Sequence, residues 1–286
     1  MTTFLGSSNR IFGGRRQGPL WTSYAVAVFY ALLILVPIYY VFISSFKSNQ
    51  EIFTAPLKLP DVWSLSKYIE AQQRVNLLRA MGVSFYITIA SEILTLVAGF
   101  LAAYAIARIP NRFAHWVETF FSMGFLIPAF AILVPVFLLA ARTQLLYKPI
   151  FLIAFYSAAR LSLTVILLAS TMREIPRELE ESAVCDGANL YHILWHIIFP
   201  LSRTGIATVL ILNFIDIWNE YLFALILLNQ ETRTLQLVIP LLRAERVSDY
   251  SIIAAGLVIA VIPVVVIFVL FQERIMQGLY SGGVKG

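Results

Sequence analysis

The sequence predicts an all-α polytopic membrane protein with six transmembrane helices, and three observations carry that expectation. Hydrophobic residues make up 59% of the 286 residues and charged residues only 13%, against roughly 45–50% and about 25% in soluble domains. Uncharged stretches of about 20 residues, enough to cross a bilayer core of about 30 Å, recur along the chain. Cys185 is the single cysteine, which excludes a disulfide scaffold. So little charge excludes a soluble enzyme, and so much apolar content excludes a disordered chain.

The first span is expected from Trp21 to Phe46, too long for the apolar region of a signal peptide. Five more are expected over Gly82–Ala107, Val117–Ala141, Pro149–Met172, Thr204–Asn229 and Ser251–Phe271. Residues 47–80 form a long outer segment with Pro56 and Pro60, and a serine of the Ser64-Leu-Ser stretch is expected to cap a helix there. Trp63 and Tyr68 suit a membrane interface. Six spans put both termini on one side. Lys and Arg divide evenly between the two faces, so only Arg15 and Arg16 before the first span lean towards cytoplasmic termini. The net charge of +5 is read as membrane-surface charge, since no basic stripe suggests nucleic acid. No internal repeat appears, and one integral domain over 21–275 is expected, flanked by cytoplasmic tails at 1–20 and 276–286.

The inner connection, 173–203, carries the strongest local signal. Pro176 can occupy a first helical position, and Glu178, Glu180 and Glu181 lie where the helix dipole favours acids. Asp186-Gly187 stops that helix, because glycine takes the left-handed conformation at no steric cost. Asn189 can cap a second helix, which Pro200 is expected to end. On it Leu190, Ile193, Leu194, Ile197 and Ile198 form one apolar stripe. Such a stripe lies in headgroups, packs under its own bundle or docks into a partner; burying all five side chains is worth at most about 10 kcal/mol.

These residues resemble the signature loop of ABC-importer permeases, in the carbohydrate-uptake branch and similar to the inner-membrane maltose permease subunit. The matching positions are Ile175, Pro176, Glu178, Leu179, Glu180, Glu181, Ala183, Asp186, Gly187, Ala188, Ile197, Pro200 and Leu201. Agreement extends to Ser45-Phe-Lys, Glu51-Ile-Phe, Pro56, the 102–108 stretch, Trp218-Asn-Glu-Tyr-Leu222, Thr234-Leu and the 277–286 tail. Ser182 in place of the middle alanine, Thr204 in place of a second proline and Arg160-Leu-Ser in place of an apolar stretch depart from the pattern. The resemblance implies a type I ABC importer permease fold whose cytoplasmic coupling helix seats in a partner ATPase. Glu178, Glu181, Ser182, Ala183, Asp186 and Gly187 are then the ATPase-coupling residues. It implies a second permease subunit, two ATP-binding subunits, an extracytoplasmic solute-binding protein and a carbohydrate substrate, in a bacterial or archaeal cytoplasmic membrane. No cofactor is expected on this chain, which has no Gly-x-x-x-x-Gly-Lys-Ser/Thr loop; ATP and Mg belong to the ATPase partner.

Charges inside spans are candidate functional groups. Arg160, at the centre of span four, carries a nominal cost of about 2.5–3.5 kcal/mol. It either pairs with Glu92 or Glu118 and fixes helix packing, or lines the pathway and binds substrate. Span five carries Asn213, Asp216, Trp218, Asn219 and Glu220, with Asp216 and Glu220 on one face. Carboxylates, amides and an aromatic face suit a polyhydroxylated solute, and equally suit gating or packing. His192 and His196 are four apart, yet a zinc protease needs Glu where Ile193 stands, so solvated or partner-facing histidines are expected and no metal. No catalytic constellation appears, so the chain is expected not to be an enzyme. Two alternatives remain open: an ABC permease for an anionic or phosphate-bearing solute, and an ion-coupled secondary carrier titrating at Glu92, Asp216 or Glu220.

Overall fold

In a computed structural model, residues 20–109, 111–243 and 249–283 are described, with side chains from Trp21 to Gln272. Arg15, Arg16 and Lys285 lie outside them. Every element among the described residues is helical. Helix α1 (Leu20–Ser44) is exposed along most of its length and packs through its outer end, where Ile43 and Ser44 are buried, against the last span. The outer segment holds α2 (Asn49–Thr54) and α3 (Ser66–Val75) and leads into α4 (Leu77–Arg108), 32 residues long.

Local chemistry explains that outer segment. Ser48 and Glu51 form a reciprocal capping box on α2. The buried Lys47 ammonium donates to the carbonyls of Ala55 at 2.9 Å and Pro56 at 3.1 Å, closing the loop over α2. Ser64 Oγ accepts from the Ser66 amide at 3.2 Å, one residue ahead of the formal cap. Trp63 packs on Phe46 with ring centroids 5.0 Å apart, and Tyr68 shares a 2.7 Å hydrogen bond with Ser45. Ser45, Lys47, Glu51 and Pro56 are thus the fabric of one small outer cap.

The third span departs from expectation. In place of one helix over 117–141 stand α5 (Arg112–Phe125) and α6 (Ala129–Arg142), bent by 100°. Pro128 has no N–H to donate and disfavours helical geometry at Ile127, so α5 closes in tight turns such as Leu126 N–H to Met123 O at 3.0 Å. Next come α7 (Pro149–Arg173), the inner helices α8 (Glu178–Cys185) and α9 (Leu190–Leu201), and α10 (Arg203–Trp218). α9 and α10 meet at 74°.

Span five also ends early, at Trp218 and not at 229. The Glu220 carboxylate accepts from the amides of Phe223 at 2.9 Å and Ala224 at 3.1 Å, which starts a separate helix, α11 (Leu222–Leu227). Helix α12 (Leu235–Val238) continues as a 3-10 turn over Ile239–Leu242 and packs into the bundle, where the Leu235 amide reaches Ser84 Oγ on α4 at 2.8 Å. The final span, α13 (Tyr250–Gly283), is 34 residues long, passing both the expected end at Phe271 and the start of the expected tail at 276. Among the described residues four helices are long and apolar enough to cross a membrane, and up to six spans result if each bent pair counts as one.

Helices α4 and α7 make the most extensive pair. A Cβ built on Gly99 would collide with Thr164 Cγ2, so glycine sets how closely these two helices approach. Gly99→Val is therefore expected to destabilise the detergent-solubilised protein by about 1–3 kcal/mol. Gly82→Ala, facing open space, is expected to be neutral. Thermal unfolding of the two variants side by side checks this.

At the outer rim the Lys67 ammonium donates to Asp249 at 2.8 Å, joining α3 to the start of α13. Burial raises the Asp249 carboxyl, but hydrogen bonding and charge from Lys67, with the Ile252 and Ser251 amides, outweigh it and hold it below the usual aspartate value. That stabilisation is present above the ordinary aspartate pKa and is lost as pH falls through the depressed one. Protease accessibility of α3 is expected to rise only below that point, and Asp249→Asn should remove the pH dependence.

Candidate functional site: a polar ladder and an inner helical loop

Both features follow from α7, which descends from the outer rim at Pro149 to the inner loop at Arg173. Tyr156, Arg160 and Thr164 recur on it every four residues and so share one face. Each pairs with the antiparallel strand of chain formed by α10 and its end. Tyr156 OH donates to Glu220, Arg160 Nη1 to Asp216 Oδ2 at 2.6 Å, and the Asn213 amide to Thr164 Oγ1 at 2.9 Å. Arg160 lies about 16 Å along α7 from Pro149, near the middle of the helix. Asn219 hangs at the ladder's outer end, with its side-chain carbonyl 3.3 Å from Gln236 Nε2.

Arg160 is thus paired, with a partner on span five: the pairings with Glu92 or Glu118 give way to Asp216, because the α7–α10 contact brings that carboxylate closer. Glu118 is instead held by both Nη atoms of Arg173 at 2.8 Å. Glu92 is 5% exposed, and both its oxygens lack a hydrogen-bond partner. The span-five residues divide by burial. Asn213 is fully buried, and Trp218 is 2% exposed, stacked on Phe214 and donating to Ala260 O at 3.1 Å. These two hold helices together. Asp216 and Asn219 are exposed and Arg160 half-buried, so they alone of the six present substantial polar surface beside Glu220, whose carboxylate is engaged by Tyr156 and α11. Tyr156 and Thr164 were missed in the sequence; their four-residue spacing around Arg160 was the available signal.

The inner loop folds as a helix, a turn and a helix. Gly187 has φ +82°, its amide bonds Val184 O at 3.0 Å, and the Ala188 amide bonds Ala183 O at 2.9 Å. This 6→1, 5→2 pairing is a Schellman motif and explains why glycine stands there. Asn189 Oδ1 accepts from the His192 amide at 2.9 Å, capping α9 as expected. Pro200, expected to end α9, does not: the helix runs on to Leu201. It does so by widening to a π turn over Ile193–Ile198, with the Phe199 amide reaching back to Leu194 O, which makes room for the proline ring against the preceding turn.

The apolar stripe is covered by the protein's own bundle. Ile193, Leu194 and Ile198 are buried against Phe100, Ala103, Val165 and Leu168, while Ile197 is half-buried and Leu190 exposed. The opposite side of the loop is open. Glu178, Glu181, Ser182, Asp186 and Gly187 are exposed beside exposed Leu179, Val184 and Tyr191, whereas Ala183 packs inward. His192 and His196 stack with centroids 4.2 Å apart, both exposed; no group of three His, Cys, Asp or Glu able to hold a metal occurs among the described residues.

A brace at the root of α8 was not foreseen. Arg108, in the last turn of α4, is in ion-pair contact with Glu180, donates to Ile175 O at 3.0 Å, and has Tyr104 beside it donating to Glu180 Oε2 at 2.9 Å. Both charges are largely buried. Tyr104 and Arg108, four apart at a helix end, were the readable half of this brace. A double-mutant cycle on Arg108→Ala and Glu180→Ala is expected to show about 1–3 kcal/mol of coupling in heat or denaturant unfolding. Additive effects would mean the pair is idle.

A multi-span helical bundle with a polar seam between two of its helices and a braced helical loop at one face is the architecture expected of a membrane transport subunit. The chain belongs to the family of binding-protein-dependent transport system inner membrane components, which matches residues 95–279. It is 30% identical over 263 residues to the diacetylchitobiose uptake system permease protein NgcG of Streptomyces coelicolor, covering 91% of this chain and 87% of that one. It is 32% identical over 254 residues to the sulfoquinovosyl glycerol transport system permease protein SmoH of Agrobacterium fabrum, covering 88% and 89%. Its fold matches a chain of a bacterial ABC transporter involved in the import of the acidic polysaccharide alginate, at TM-score 0.80 and 23% identity over 93% of this chain and all of that one.

Proposed function

We propose that this chain is the permease subunit of an ATP-driven ABC importer for a saccharide or related polyol, forming half of the translocation pathway. A second permease chain supplies the other half. Two ATP-binding subunits carry ATP and Mg, so this chain needs no cofactor, and an extracytoplasmic solute-binding protein delivers the solute. Loop 173–203 and both termini then face the cytoplasm.

One observation carries this reading: the inner loop is braced to α4 and buried against the bundle on one side, yet open and mixed acidic–apolar on the other. A free-standing loop would transmit nothing, and a fully buried one would meet no partner. ATP-driven closure of the ATPase pair would press on α8 through Glu178, Glu181, Ser182 and Asp186. Arg108 and Glu180 would pass that displacement to α4, and the bundle would rock from inward- to outward-facing. The diacetylchitobiose that NgcG takes up and the acidic polysaccharide imported by the alginate transporter support the solute class. The Arg160–Asp216 pair, already neutral, suits hydroxyl-bearing solutes that exchange hydrogen bonds without leaving a bare charge.

The test is uptake into proteoliposomes holding the complete complex, with ATP inside and loaded binding protein outside. ATP-dependent saccharide accumulation is expected to survive a protonophore; its collapse would favour an ion-coupled carrier. In the same assay Gly187→Val, which forces a β-branched residue to φ +82° at about 1–2 kcal/mol of strain, should retain ATP hydrolysis and lose at least about nine-tenths of uptake. Full transport by that variant would sink the role of the turn.

A further inference from the structure

A cavity of about 530 Å³ opens at the outer end of the bundle, away from the inner loop, between α6, the 143–148 connection and the 219–242 segment. Its volume lies within the range of small-molecule sites. Three aromatic side chains line it, Phe137, Tyr147 and Tyr221, together with Gln230 and Arg233. What sets this cavity apart from the ladder is that its donors are idle. Neither tyrosine hydroxyl, nor the Gln230 amide, nor the Arg233 guanidinium makes a side-chain hydrogen bond or ion pair among the described residues, whereas Arg160, Asn213, Asp216 and Glu220 are all engaged.

The loop that contributes Tyr147 is held in an unusual shape. Gln144 and Tyr147 have φ +58° and +66°, and the Tyr147 amide is fixed to Leu227 O at 3.1 Å. Non-glycine residues rarely occupy that region, and the conformation persists where the surroundings impose it. Gln144 takes it as the residue that closes α6 in a Schellman motif, its amide on Ala141 O at 3.1 Å and the Leu145 amide on Ala140 O at 3.0 Å, while the bond to α11 fixes Tyr147 at the cavity wall.

We infer that this outer cavity is a saccharide subsite, occupied when solute leaves the binding protein and before it reaches the ladder. The inference rests on the saccharide reading above. Aromatic rings offer faces to the apolar C–H surface of a sugar ring, while amide, hydroxyl and guanidinium donors meet its hydroxyls. Arg233, without a carboxylate partner, admits a sugar acid or sulfonate as well as a neutral sugar; the Arg160–Asp216 pair has its charge already answered.

The test places a thiol at the wall. In the complete importer in proteoliposomes, with Cys185→Ser as background, Gln230→Cys is labelled from outside by a membrane-impermeant maleimide. Diacetylchitobiose, sulfoquinovosyl glycerol and an alginate trisaccharide are the probes. A probe that wild type takes up is expected to slow labelling at least about fivefold, without binding protein present. Arg233→Gln should weaken that protection about tenfold in probe concentration. Empty binding protein that protects as well as probe does would make the cavity a protein docking face and overturn the assignment, as would labelling that no transported probe slows. If wild type takes up none of the three, the saccharide reading falls and this subsite with it; normal uptake with unslowed labelling overturns the subsite alone.

Discussion

The close approach of α4 to α7 is the constraint on which the other features depend. Gly99 brings Thr164 of α7 against the α4 backbone, and this fixes the rotation of α7 about its axis. Once that rotation is set, Tyr156, Arg160 and Thr164 face α10, and the ladder forms on their four-residue spacing. The same pair carries the inner loop, because α8 follows α7 in the chain but is bound by charge to the end of α4. A loop that belongs covalently to one helix and electrostatically to its neighbour moves only if both move.

Inside a bilayer, hydrogen bonds between helices are individually modest, about 0.6 kcal/mol on average. The ladder's value is therefore specificity of register more than adhesion. Sliding α10 by one turn against α7 would leave Arg160 opposite Asn213 and Asp216 opposite Tyr156, stranding a charge in each direction. Glu220 adds a second constraint, since it both accepts from Tyr156 and begins α11. The polar seam and the segment that follows span five are tied at one carboxylate.

Much of this was legible in the sequence. Composition and run length led to an all-helical membrane bundle, and the positions of all six spans overlap the helices observed. The Asp186-Gly187 turn, the Asn189 cap and the exposed acids of α8 follow local rules that act over a few residues. The failures share a cause: an apolar run marks membrane depth and says nothing of direction within it. Pro128 breaks one run and Glu220 ends another, yet both sit in sequence that hydropathy counts as continuous. The partner of Arg160 was equally hidden, because Glu92, Glu118 and Asp216 are equivalent candidates until helix rotation is known. The Arg108–Glu180 brace joins residues far apart in the chain, which no local pattern announces.

The wide turn before Pro200 has a mechanical consequence. Its hydrogen bonds skip an extra residue, so α9 is slightly overfull for its length and cannot continue smoothly into α10, which leaves at 74°. The loop and the fifth span therefore form a bell crank and not a rod. Under the proposed coupling role, thrust arriving along the loop would reach the span as a sideways lean, largest at the far end, where Asp216 and Asn219 stand.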